Sequence, residues 1–153
     1  MNIFLGFLLL VLCLFIGYIC SGKYSLRKEF YYQFNEFNLK LKDEVSFYQR
    51  SIVKIVNEIS VESDFYDCVK MFVLNKKFVF EKEYLSAEEK EFLFKYLKKI
   101  GKSDKKTQIE YLQATGKIIT EKYDKYSLEE KRYKQLCIKL GFLIGLIAFI
   151  VVL

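Results

Sequence analysis

Ile100-Gly101-Lys102-Ser103-Asp104 separates two apolar-periodic segments, and its reading decides the fold. Glycine just past a periodic segment stops a helix, because it takes the left-handed conformation at little cost, and a serine two residues later can cap a new one. The stretch predicts a helical hairpin bent over residues 101–103. Beyond it Gln108, Ile109, Leu112, Gly116, Ile119, Tyr123 and Tyr126 recur every three or four residues, and the segment turns wholly apolar near Leu136. A soluble helix is expected to feed into a membrane helix.

Upstream of the bend, Ser86-Ala87-Glu88-Glu89 is a capping box, with serine at the cap and glutamate three residues on. It predicts a helix with Phe92, Leu93, Tyr96, Leu97 and Ile100 on its inner face, ending at Gly101. Further back, Leu26, Phe30, Phe34, Phe37, Leu41, Val45 and Tyr48 form a stripe at helical spacing, the mark of a long amphipathic helix. Packing against neighbouring helices accounts for these rings better than a ligand does. Ser51 can cap a short helix carrying Ile52, Ile55, Val56 and Ile59. Between Val61 and Tyr84, Phe65, Val69, Phe72 and Val73 suit a helix, whereas Phe78-Val79-Phe80 has no second strand candidate nearby and reads as helix end or loop.

Both ends of the chain are apolar. Ile3 to Ile19 is an uninterrupted run of about 17 residues, just enough to span a hydrocarbon core of about 30 Å. No basic residue precedes it, and Tyr18-Ile19-Cys20 suits neither signal-peptide nor lipoprotein processing, so it reads as a retained membrane helix. At the other end Leu140 to Leu153 gives about 14 apolar residues, which Lys139 extends by snorkelling while the terminal carboxylate meets the far side. Lys23, Arg27 and Lys28 follow the first segment, and Lys131, Arg132, Lys134 and Lys139 precede or open the last. By the positive-inside rule both flanks are cytoplasmic. The expected domains are a transmembrane helix over 1–22, a cytoplasmic all-helical domain over 23–135 and a second transmembrane helix over 136–153. The fold class is all-α, a helical bundle built on long antiparallel hairpins with a transmembrane helix at each end.

Two further features bear on packing and partners. Gly141-x-x-x-Gly145 lets membrane helices approach closely, and Gly17 lies at a similar depth in the first helix, so Gly17 is expected to meet the Gly141 face. A homotypic contact, making the chain a homo-oligomer, is the rival reading. Lys98, Lys99, Lys102, Lys105 and Lys106 crowd the hairpin tip. If Asp104 to the membrane is one unbroken helix it extends roughly 48 Å, which takes this cluster away from headgroups and leaves a solvated face or a protein contact. Ser127-Leu128-Glu129-Glu130 repeats the capping-box pattern inside that segment, so a restart or kink there is the other reading.

Composition excludes several functions. The chain has no histidine, which removes His-based triads, metal sites and proton shuttles. Its four cysteines, Cys13, Cys20, Cys68 and Cys137, form no Cys-x-x-Cys pair, so neither a disulfide framework nor a zinc site is indicated. There is no glycine-rich phosphate loop, and Glu88, Glu89 and Glu91 are explained as an acidic first turn. No enzyme activity, cofactor or small-molecule substrate is expected. Lys and Arg number 25 against 19 Asp and Glu, but the signs alternate through the middle, without the focused basic face that nucleic acid requires.

These residues resemble the stage III sporulation protein AB family of endospore-forming bacteria. The likeness rests on Gly101-x-x-Asp104-x-x-x-Gln108 after Leu97 and Ile100, on Tyr133 followed by Leu140-Gly141-Phe142-Leu143-Ile144-Gly145-Leu146, and on Glu44-Val45-x-x-Tyr48. The family usually has Pro-Leu where Ser51-Ile52 stands and a tryptophan within the middle segment, neither of which is present here. The resemblance implies a two-pass mother-cell membrane protein of the secretion-like complex joining mother cell to forespore, with its domain in the mother-cell cytoplasm. It also implies a soluble domain similar to those of type II secretion and type IV pilus platform proteins. Implied partners are the other proteins of that sporulation channel complex, including a secretion-ATPase-like subunit. The competing reading is a membrane-bound helical regulator or sensor with no fixed assembly. Candidate partner-facing residues are Gly101, Lys102, Ser103, Asp104, Lys105 and Gln108, with Gly17, Gly141 and Gly145 for membrane packing and Lys23, Arg27, Lys28, Lys134 and Lys139 at the cytoplasmic flank.

Overall fold

Phe30, Tyr31, Phe34, Phe37, Asn38 and Leu41 fall on one face of a helix, and the burial of that face organises the helices around it. The structure is a computed structural model that describes residues 2–48 and 50–152. Leu153, whose carboxylate was expected at the far side of the bilayer, lies outside the described residues, as do Met1 and Gln49. The described residues form α1 (Asn2–Cys20), α2 (Gly22–Asp43), a π-helical turn (Glu44–Tyr48), α3 (Ile52–Asn57), α4 (Asp64–Asn75), α5 (Ala87–Lys99) and α6 (Lys105–Val152). No strand occurs among them, and the all-α expectation holds. Phe78-Val79-Phe80 is loop, with Phe78 against Phe94 and Phe80 against Phe30.

The chain divides into two compact units, Glu29–Asp124 and the paired ends Met1–Lys28 with Lys125–Leu153. Within Glu29–Asp124, three rings of α2 surround Phe65 of α4, at centroid distances of 5.4 Å for Phe30, 5.3 Å for Phe34 and 5.8 Å for Phe37. Phe34 also meets the edge of Tyr96 from α5 at 4.8 Å. Edge-to-face rings combine large apolar burial with favourable quadrupole geometry, so this cluster is the core's anchor. Ile55 and Val56 of α3, Leu93 and Leu97 of α5, and Leu112 and Ile119 of α6 complete it.

Polar residues fix the register of that core. Asn38 donates from Nδ2 to the Leu112 carbonyl at 3.1 Å, and its Oδ1 accepts from the Tyr96 hydroxyl at 3.1 Å. Gly116 makes room for it, since a Cβ there would stand 2.8 Å from Asn38 Nδ2. Tyr31 donates to Glu89 Oε1 at 3.0 Å, while Glu89 Oε2 accepts from the Ser86 amide at 2.8 Å. The capping box is thereby formed in full, and the same carboxylate ties α5 to α2.

Two local features depart from the sequence reading, and an alternative that it left open is decided. The amphipathic stripe ends as an α-helix at Asp43, because the Ser46 hydroxyl donates to the Lys42 carbonyl at 2.7 Å and competes with the backbone ladder. The widened turn that follows brings Glu44 inward, where the Arg50 guanidinium grips both carboxylate oxygens. Ser51 occupies the cap position of α3 but its side chain makes no cap bond. The capping box at Ser127 is unused, since α6 runs through it without interruption.

Within the unit of the paired ends, Tyr24 stacks on Tyr133 at 4.3 Å and Lys28 pairs with Glu130 at 3.1 Å. A hydrogen bond from Lys28 holds the Glu130 carboxyl below the usual carboxylate range. The two terminal helices are long and apolar enough to cross a membrane. Their apolar side chains stay largely uncovered, Phe4 at 75% and Val151 at 80% exposure among them. A continuous apolar surface of this kind marks a membrane or protein contact.

Candidate functional site

The bend between α5 and α6 is built by the residues that its sequence singled out, in a different division of labour. Ile100 is extended, and Gly101 follows at φ +72, where a side chain would be strained. A Cβ on Gly101 would also stand 2.5 Å from Ile52 Cδ1, so the tip of that side chain would have to move aside. Asp104, rather than Ser103, caps α6. Its Oδ2 accepts from the Thr107 amide at 3.2 Å, and hydrogen bonds from Thr107 hold its carboxyl below the usual range. Ser103 instead donates from Oγ to Gln108 Oε1 at 3.1 Å.

Gln108 is the keystone of the bend. Its Oε1 also accepts from the Gly101 amide at 3.0 Å, and the residue is 3% exposed. A backbone N–H can only donate, so the carboxamide oxygen faces Gly101 and Nε2 points elsewhere. Nε2 is buried and donates to no protein atom among the described residues. Lys102 and Lys105 are exposed beside it.

The apolar ends meet through small residues. A Cβ on Gly17 would lie 2.7 Å from the Cys137 carbonyl oxygen and 3.8 Å from Gly141 Cα. On Gly141 it would lie 2.9 Å from the Cys13 carbonyl oxygen, and on Gly145 3.1 Å from Leu10 Cα. All three glycines are buried, and backbone approaches backbone along the pair. At the flank Arg27 lies over the Tyr126 ring at 4.3 Å and Lys134 over Tyr18 at 5.9 Å, while Lys23 and Lys139 are exposed.

The buried titratable groups Glu44, Glu89 and Cys68 of Glu29–Asp124 are held structurally. Glu44 is clasped by Arg50, which also reaches Glu58 at 3.0 Å, and Glu89 joins Tyr31 to Ser86. Burial pushes the Cys68 thiol up to about 12, leaving it neutral at physiological pH. No cluster able to hold a metal ion occurs among the described residues. Asn38 escapes sequence reasoning because its partners Leu112 and Tyr96 are far away in the chain, and the Glu44–Arg50 clasp and the orphan amide of Gln108 escape it because each depends on irregular backbone at a turn.

These features define a class: an all-helical protein with a helix long and apolar enough to cross a membrane at each end, and a tight polar bend between its last two helices. The family model for stage III sporulation protein AB matches residues 62–153, and the chain belongs to that family. The matched span contains the bend and the glycine-bearing carboxyl end, whereas α1, α2 and the Glu44–Tyr48 turn lie before it. No curated protein and no solved structure matches the chain.

Proposed function

We propose that the chain is a non-catalytic structural and docking subunit of the membrane-embedded, secretion-like sporulation complex that links mother cell and forespore. The observation that carries this reading is the pairing of a sporulation family with a helical unit whose two ends are each apolar enough to cross a membrane. Anchors at both ends tie such a unit to a membrane, as a docking subunit of a membrane-embedded complex requires. The basic flanks support a position for the unit in the mother-cell cytoplasm. On this reading its soluble part is of the kind expected of the platform proteins of type II secretion and type IV pilus systems, and its expected partners include a secretion-ATPase-like subunit. The structural use of Glu44, Glu89 and Cys68 supports a scaffold rather than an enzyme.

Gentle solubilisation of sporulating membranes tests the proposal. The tagged chain is expected to migrate as a defined assembly with the same partner proteins in every preparation. Migration as an isolated chain would favour a regulator or sensor with no fixed assembly.

A further inference from the structure

The orphan amide of Gln108 belongs to a cavity of about 650 Å³ at the bend, which Gln108 helps to line. Its apolar walls come from four elements: Leu41 of α2, Val45 of the π-helical turn, Phe72 of α4, and Leu97 with Ile100 at the end of α5. Lys76, Lys102 and Lys105 stand around it, and none has a carboxylate partner among the described residues. The neighbouring acid, Asp104, is already engaged by Thr107. Buried donors are nearly always paired, and leaving one unpaired is costly. Nε2 has almost no exposed surface here, so a small turn of the side chain toward the cavity that lets it meet an acceptor from outside is favoured.

The cavity does not stand alone. Lys102 and Ser103 also line a groove of about 900 Å³ between α5 and α6, whose lining includes Lys98, Tyr96 and Tyr111. Lys99 lies over the Tyr111 ring at 5.1 Å, and Lys95 is already paired with Glu91. The positive field and the apolar floor thus continue past the cavity. A single phosphate would answer the lysines and leave the apolar walls empty. An extended polypeptide supplies apolar side chains, neutral carbonyls and carboxylates in close succession, which is the order the surface presents.

The geometry points to this cavity as the dock for an acidic segment of a protein partner, with one apolar side chain against Leu41, Val45 and Phe72, a carbonyl accepting from Gln108 Nε2, and carboxylates on Lys76, Lys102 and Lys105. The inference rests on the docking role proposed above and names the chemistry of its partner.

The test places p-benzoylphenylalanine at Lys102 of the full chain in sporulating cells, irradiates, and maps the crosslinked peptide by mass spectrometry. The expected peptide carries at least two Asp or Glu near an apolar residue. Lys76→Glu with Lys105→Glu is expected to lower the crosslink yield at least tenfold. Gln108→Glu, which keeps the oxygen facing Gly101 and loses the donor, is expected to lower it comparably. Should Gln108→Glu fail to fold by circular dichroism, the lysine pair, which is exposed, decides alone. Crosslinks confined to lipid or to a segment without acids, or a yield indifferent to charge reversal, overturn the inference. If the solubilised assembly is intact while these crosslinks are missing, the dock lies elsewhere and the docking role stands. If wild-type chain forms no assembly, both fail together.

Discussion

The two units of this chain pack by opposite means. Glu29–Asp124 is held by large rings around Phe65 and by buried polar groups such as Asn38 and Glu89 that find defined partners. The paired ends are held where side chains vanish, at Gly17, Gly141 and Gly145, so that backbones touch. In water, burying a ring releases apolar surface from solvent and ring size is an advantage. Among lipid tails that advantage disappears, and close approach is what remains. The contrast therefore supports the proposed membrane placement of the ends on packing grounds, separately from their hydropathy.

The contrast can be broken most severely at its aromatic centre. Phe34→Ala removes a fully buried ring touching Phe65 and Tyr96, and is expected to cost about 3–5 kcal/mol in denaturant unfolding followed by circular dichroism. Asn38→Ala leaves the Leu112 carbonyl and the Tyr96 hydroxyl without their partner, for a loss of about 2 kcal/mol in the same measurement. The converse probe adds bulk to the ends. Gly141→Leu should force the apolar helices apart at a cost of about 1–2 kcal/mol. With Cys20 replaced by Ser, its readout is a severalfold loss of thiol crosslinking between Cys13 and Cys137, which line one cavity beside Gly17 and Gly141. The denaturant midpoint of the helical unit should not move. Ser86→Ala removes one half of the capping box and is expected to cost about 1 kcal/mol.

The smallest effect is a pH dependence at the flank. Because the folded-state pKa of Glu130 is depressed by Lys28, its contribution to stability is present above the unfolded carboxylate pKa and is lost as pH falls through the folded value. The stability difference between wild type and Lys28→Ala should thus be constant above about pH 5 and shrink toward more acid pH. As a partly exposed ion pair it is worth no more than about 1 kcal/mol.

What could be read from the sequence was local. Gly101 announced the left-handed residue, Ser86 and Glu89 announced a capping box that both bonds complete, and the stripe from Phe30 to Leu41 announced the buried face of α2. Ser127 shows the limit of the same rule: a capping signal is overridden where the flanking residues continue one helix. Asn38 reads as surface by type and is buried because α5 and α6 bring it a donor and an acceptor. The residues of the bend were visible by their turn chemistry. The cavity beside them was not, because Leu41, Val45, Phe72 and Leu97 reach it from elements that share no sequence pattern.

The most direct measurement is the count of heat-resistant spores from a strain lacking this gene and any second copy, against the same strain with the gene restored. A sporulation-complex subunit predicts a collapse of the count after normal engulfment, reversed by the restored gene. An unchanged count would contradict the role, leaving a two-ended apolar helical protein whose bend serves some other partner.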